Sequence, residues 1–171
     1  MKGIVIMDFL KTAIAIEDQG FEFYRNLART TPIRELAGIF SFLAEEELRH
    51  GKIFESFGSS AEIPVTDAAT QSQPDNSVFA ALSQQFETGG IPANDYTDLF
   101  NKALTMENES ITLYTKALNE NGSLDERSCE ILEKIISEET RHAHLISILL
   151  DILRHPGEWL ENAEWRHAET Y

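Results

Sequence analysis

The sequence contains two copies of one acidic pattern, a lone glutamate followed thirty or thirty-two residues later by Glu-x-x-His. The six residues are Glu17, Glu47, His50, Glu107, Glu139 and His142. In a helix, positions i and i+3 share a face, so the Glu and the His of each Glu-x-x-His can bind the same ion. Four carboxylates and two imidazoles suit a pair of iron or manganese ions, with zinc also open.

The spacing also predicts a role for each carboxylate. Glu47 and Glu139 each carry their own histidine, and we predict that they bridge the two ions. Glu17 and Glu107 are then terminal ligands, one on each ion. Open positions on the ions would admit oxygen or peroxide.

These ligands lie on helical stripes that are otherwise apolar, and the stripes repeat. An offset of 90 relates the first helix to the third, and an offset of 92 relates the second to the fourth. Paired positions include Leu10/Phe100, Phe21/Ile111, Leu43/Ile135 and Phe54/Ile146. Alternating steps of four and three are typical of a helix packed nearly parallel to its neighbours. A single Glu-x-x-His is usually chance, but two copies in register on such seams indicate metal, because an unpaired buried carboxylate is costly.

The pattern predicts an all-α fold, an antiparallel four-helix bundle with a long crossover between helices 2 and 3. The first helix should end near Thr30, with Thr31 capping the second, and Ser123 with Glu126 forms a capping-box pattern before the fourth. Residues 1–155 are expected to form one bundle, in which 58–93 is a crossover carrying a short helix. Residues 156–171 are expected to form a tail or a helix docked on the bundle or on a second subunit.

Composition limits the function classes. A chain of 171 residues with 42% hydrophobic content can bury one substantial core. A single cysteine, Cys129, excludes an intramolecular disulfide framework and a four-cysteine metal site. The net charge of −15 argues against nucleic acid and anionic membranes as partners. Without a signal peptide or a transmembrane segment in the sequence, we expect a soluble, cytoplasmic protein.

Two further pairs of residues lie close to the predicted ligands. Tyr24 and Tyr114 each follow a terminal glutamate by two turns. They either donate a hydrogen bond to a ligating carboxylate across the site or are ordinary core aromatics. Glu46 and Glu138 each precede a bridging glutamate, and either accept the outer N–H of a ligating histidine or belong to a solvated face.

The doubled Glu…Glu-x-x-His set resembles the ferritin-like superfamily, specifically rubrerythrin and bacterioferritin. The resemblance covers the four helices and implies a non-haem di-iron centre that cycles between diferrous and diferric states. Rubrerythrin-like members reduce hydrogen peroxide, and bacterioferritin-like members oxidise and store iron.

The chain departs from both relatives in ways that shape the prediction. It lacks the Cys-x-x-Cys pairs of a rubredoxin-type domain, so electrons should come from a separate donor such as a rubredoxin. Leu104 stands where rubrerythrins tend to have an extra glutamate, and Leu48 stands where bacterioferritins bind haem through methionine, so we expect no haem. The prediction is a stand-alone rubrerythrin-like protein, by default a homodimer, acting on peroxide or oxygen. A ferroxidase for iron storage or detoxification and a structural zinc or manganese bundle remain alternatives.

Overall fold

Four long helices dominate the fold. The computed structural model describes residues 2–57, 74–89, 93–120 and 124–161. In chain order its helices are α1 (Lys2–Thr30), α2 (Arg34–Ser56), α3 (Asn76–Glu87), α4 (Ala93–Glu120), α5 (Glu126–Arg154) and α6 (Pro156–Glu161). The predicted all-α four-helix bundle is confirmed, with α1 packed along α2 and α4 packed along α5. No described helix is both long enough and apolar enough to cross a membrane.

The predicted caps at two helix starts are wrong. The N-cap of α2 is Ile33, and Thr31 instead accepts a hydrogen bond from the Ile33 N–H at 3.3 Å, which stabilises the turn before the helix. The N-cap of α5 is Asp125, whose carboxylate accepts from the Ser128 N–H at 2.7 Å. Asp competes well for this position because a short acceptor reaches the free N–H groups of the first turn.

The predicted crossover contains α3 as its short helix. Asp75 caps it by accepting from the Ser77 and Val78 N–H groups, and Leu82 and Phe86 are buried. Residues 58–73 and 90–92 lie outside the described part of the chain. Helix α3 packs against α5 and α6, so α3 itself covers one end of the bundle.

Residues 156–171 are predicted to form a tail or a helix docked on the bundle or on a second subunit, and the described part of this segment contacts the bundle. Helix α6 lies against α3 and α5, and the Ser83 hydroxyl donates to the Pro156 carbonyl at 2.5 Å. Residues 162–171 lie outside the described part, so the extent of the docked segment stays a prediction.

Among the described residues, the core consists of two apolar clusters. One surrounds Tyr24, Phe40 and Phe100, and the other surrounds Phe54 and Tyr114. Along every long helix, a glutamate of the repeated pattern falls between residues of the first cluster and residues of the second. The bundle therefore has a polar layer, made by the six predicted ligands, with apolar packing on both sides.

Candidate metal centre

The structure brings all six predicted ligands together in the polar layer. They come from all four long helices and comprise Glu17 on α1, Glu47 and His50 on α2, Glu107 on α4, and Glu139 and His142 on α5. None of them exposes more than 3% of its surface. A buried set of this size needs either protons or cations to balance its charge.

The ligand atoms form two overlapping groups of four. One group is Glu17, Glu47, His50 and Glu139, and the other is Glu47, Glu107, Glu139 and His142. Within each group the ligand atoms all lie within 4.8 Å of one another. Glu47 and Glu139 belong to both groups, which is the placement that bridging ligands require. Glu17 and Glu107 each belong to one, as terminal ligands would.

Unpartnered atoms show that these residues fit a pair of cations. In the described part of the chain, six buried side-chain atoms lack a hydrogen-bond partner. They are Glu17 Oε2, Glu47 Oε1, His50 Nδ1, Glu139 Oε1, Glu139 Oε2 and His142 Nδ1. All six belong to the predicted ligands, and buried polar atoms normally find partners. Bound cations would satisfy them together.

The two imidazoles turn the same atom toward the carboxylates. His50 Nδ1 lies 2.8 Å from Glu139 Oε1, without the alignment of a hydrogen bond. His142 Nδ1 lies 3.4 Å from Glu139 Oε2 and 3.5 Å from Glu47 Oε1. In both rings Nδ1 is therefore the atom available to a metal, and Nε2 points outward.

The carboxyl groups of the polar layer have pKa values shifted in opposite directions. Burial, together with the negative charge of Glu139, raises the pKa of the Glu47 carboxyl well above its usual range. Burial also raises the pKa of Glu107, to about 7, although His142 acts in the opposite direction. Burial also disfavours the ionised form of Glu139. His50 and His142 outweigh this effect and hold the pKa of the Glu139 carboxyl well below its usual range. The raised pKa values favour protons on the Glu47 and Glu107 carboxyls, so protons and cations compete for them.

Each predicted tyrosine donates to the terminal glutamate of the other half. The Tyr24 hydroxyl on α1 donates to Glu107 Oε1 on α4, and the Tyr114 hydroxyl on α4 donates to Glu17 Oε1 on α1. Burial, reinforced by the neighbouring carboxylates, raises the pKa of both phenols, so they stay protonated donors. Each terminal glutamate thus has one oxygen held by tyrosine, with its second oxygen left for the layer.

Glu46 and Glu138, predicted as partners of the histidines, are both buried at 5% exposure. Glu138 Oε2 lies 3.0 Å from His50 Nε2, within hydrogen-bond distance. Glu46 Oε2 lies 3.9 Å from His142 Nε2, which is too far for a hydrogen bond. The hydrogen-bond distance expected between an outer glutamate and a histidine is therefore present at His50 and absent at His142.

Arg49 is a site residue that sequence reasoning missed. Its guanidinium lies between the two outer carboxylates and donates to Glu46 and to Glu138. Burial opposes the ionisation of Glu138, but hydrogen bonds from His50 and Arg49 outweigh it and lower the pKa of that carboxyl to about 2. The extended motif Glu-Glu-x-Arg-His points to an arginine beside each site histidine, but it occurs in both halves and does not distinguish Arg49 from Arg141.

Gly20 is a second residue that was missed. It lies one turn after Glu17 on α1, and a Cβ atom at this position would lie 2.6 Å from Glu47 Oε2. Because Gly20 has no side chain, the carboxylate of Glu47 can lie against α1.

Comparison with known proteins places the chain in a family. The model of the Rubrerythrin family matches residues 8–150, a range that includes every residue of the polar layer. No curated protein and no solved structure gives a significant match. The four-helix bundle and its buried carboxylate and histidine cluster agree with this match. The chain belongs to the rubrerythrin family.

Proposed function

We propose that this protein is a non-haem di-iron protein that reduces hydrogen peroxide or oxygen with electrons from a separate donor. The observation that carries the proposal is the pair of overlapping four-residue groups sharing Glu47 and Glu139. Six unpartnered buried atoms in the same layer support it. Glu17 and His50 would hold one ion, and Glu107 and His142 the other.

The donor types favour iron or manganese over a structural zinc site. Structural zinc is usually tetrahedral and rich in cysteine sulfur, whereas this layer offers carboxylate oxygens and one imidazole for each ion. Each ion would receive four protein residues, two of them shared. An ion that prefers six ligands keeps free positions in such a site.

A pair of irons would supply two electrons, which with two protons convert one hydrogen peroxide to two waters. The chain's own residues provide the setting for this reaction. Tyr24 and Tyr114 keep their hydroxyl protons and hold Glu107 and Glu17 in place. The apolar clusters on both sides exclude bulk water, which strengthens the electrostatic interactions inside the layer.

Iron oxidation for storage or detoxification is the second candidate. It would use the same six ligands, and the net charge of −15 favours it because an acidic surface attracts Fe(II). The two candidates differ in what happens after oxidation. A peroxidase keeps its two irons and turns over, whereas a storage protein accumulates a mineral.

The test is metal content followed by peroxide stoichiometry. The metal-free protein is loaded anaerobically with excess Fe(II), exposed to air and desalted, and iron per chain is measured. We expect two. Protein re-reduced under anaerobic conditions should then consume one peroxide per two irons and react faster with peroxide than with oxygen.

Other outcomes would redirect the proposal. Many tens of irons per chain would favour storage. Two irons that react only with oxygen would favour an oxidase. No bound iron would overturn the iron assignment, and the same experiment with manganese and zinc would then identify the metal.

A further inference from the structure

His50 and His142 hold equivalent positions in the repeat, but their outer nitrogens meet different surroundings. His50 Nε2 lies 3.0 Å from Glu138 Oε2, whereas His142 Nε2 lies 3.9 Å from Glu46 Oε2. A carboxylate that accepts the outer N–H of a ligating histidine fixes its orientation and raises its basicity as a ligand. Only His50 has such a contact with its predicted partner.

Arg49 accounts for this difference on both sides. Its Nη2 donates to Glu138 Oε2 at 2.8 Å and so fixes the acceptor of His50. The same guanidinium donates to both oxygens of Glu46, from Nη2 at 2.9 Å and from Nε at 3.2 Å. Glu46 is therefore engaged by Arg49 and stays away from His142. Arg49 thus holds Glu138 beside His50 and holds Glu46 away from His142.

The repeat counterpart of Arg49 does not act in this way. The Arg141 side chain is 49% exposed, compared with 14% for Arg49. Its Nη2 forms an ion pair with Glu138 Oε1 at 3.6 Å, which is longer than a hydrogen bond, and within the described part of the chain it makes no hydrogen bond or ion pair with Glu46 or His50. The asymmetry therefore comes from the position of Arg49 and not from the motif, which both halves share.

We propose that Arg49 makes the two metal positions unequal, so that the position bound by Glu17 and His50 takes up a divalent cation before the position bound by Glu107 and His142. This inference rests on the metal site proposed above. Arg49 is a positioning residue that acts on His50 through Glu138 and also directly, since its Nη2 lies 3.3 Å from His50 Nε2. A ligand with a fixed orientation loses less freedom on binding, so the first ion should enter on its side.

The test is a titration of the full-length, metal-free protein with Zn(II), which is diamagnetic and redox-inert. Imidazole N–H correlation spectra report which ring binds first. Up to one equivalent, we expect the His50 signals to change ahead of those of His142, by about ten to one in occupancy. The variant Arg49→Met should bring this ratio within about threefold of unity. The matched control Arg141→Met removes only a longer, half-exposed ion pair with Glu138 and should leave the ratio at about ten to one.

A second readout separates positioning from general stability. In the zinc-loaded protein, the Nε2-bound proton of His50 should give a sharp, slowly exchanging signal because Glu138 accepts it. Arg49→Met should broaden or remove that signal, Arg141→Met should retain it, and Arg49→Lys should give an intermediate result. Circular dichroism checks that each variant folds, and if Arg49→Met does not, Arg49→Lys and the wild-type titration decide.

The outcomes distinguish this inference from the proposed function. If both rings of the wild type respond in parallel while two zinc ions bind, the inequality is wrong and the dinuclear site stands. If the order persists in Arg49→Met, the role of Arg49 is wrong. If fewer than two ions of zinc, iron or manganese bind, the proposed site itself fails.

Discussion

The α1–α2 half and the α4–α5 half of the molecule provide the same three ligand types from the same helical positions. Directly outside the ligands the halves differ. Gly20 lies against Glu47, and its counterpart at an offset of 90 is the buried Ser110. Arg49 is inserted between two carboxylates, whereas Arg141 is half-exposed. The repeat thus preserves what a metal pair needs, while the surroundings can make the two positions behave differently.

The largest expected effect comes from removing a shared ligand. Glu47→Ala or Glu139→Ala should reduce binding from two ions per chain to one or none, because two cations then repel at short range without a bridging anion. If the two bridging glutamates are equivalent, both variants lose the same number of bound ions per chain. Metal analysis after loading measures it, and circular dichroism should show that the helices remain.

Exposed glutamates on the same helices provide controls for this comparison. Glu55→Ala on α2 and Glu133→Ala on α5 remove the same charge away from the polar layer and should bind two ions. A double variant lacking both Glu47 and Glu139 that still bound a metal pair would contradict the assignment of the bridges.

The two tyrosines test whether the halves are equivalent at the terminal glutamates, where each tyrosine donates to the glutamate of the other half. Tyr24→Phe and Tyr114→Phe each leave a buried glutamate oxygen without its donor, which should lower the free energy of unfolding by roughly 1–3 kcal/mol. Because the two contacts are reciprocal, we expect similar losses in both variants. Chemical denaturation of the metal-free protein measures them. A large loss in only one variant would extend the asymmetry of the halves to the terminal ligands.

Gly20→Ala should have a smaller effect on metal binding, and its gain of ~1 kcal/mol in helix propensity acts on the free energy of unfolding and not on metal affinity. Its Cβ would lie 2.6 Å from Glu47 Oε2, the flexible end of a side chain, so the carboxylate can move at little cost to the fold. We expect metal affinity to fall about tenfold, a size typical of disturbed contacts around a ligand. Calorimetric titration with Zn(II) measures it.

The control for that variant is Gly38→Ala on α2, where no atom beyond the chain neighbours and the adjacent helix backbone lies within 4 Å of the added Cβ. It should stabilise the helix by ~1 kcal/mol through propensity alone and leave metal affinity unchanged. Ser110→Ala tests the second half, and we expect little change there. Equal losses at Gly20 and Ser110 would show that both bridging carboxylates are equally confined.

The helical seams made much of the site predictable. A glutamate on an apolar stripe can be located from the sequence because the helical period fixes which residues share a face. The same reasoning placed Tyr24 and Tyr114 near the ligands. It failed at Thr31, where a hydroxyl that suits an N-cap also suits a turn, and the difference depends on where α2 starts.

The parts that could not be predicted depend on distances between helices. Arg49 and Arg141 occupy the same motif. No local pattern therefore indicates that Arg49 lies between Glu46 and Glu138 while Arg141 is half-exposed. From the sequence alone, Gly20 is only a residue of low helix propensity within a predicted helix. Only the approach of α2 to α1 shows that a side chain there would collide with Glu47.

The crossed tyrosine contacts have a consequence for the origin of the fold. A helical hairpin made of α1 and α2 alone would contain a donor, Tyr24, without its acceptor, and an acceptor, Glu17, without its donor. Two identical hairpins related by a twofold axis would satisfy both at once. The exchange between Tyr24 and Glu107 and between Tyr114 and Glu17 is the contact pattern of a symmetric dimer joined into one chain.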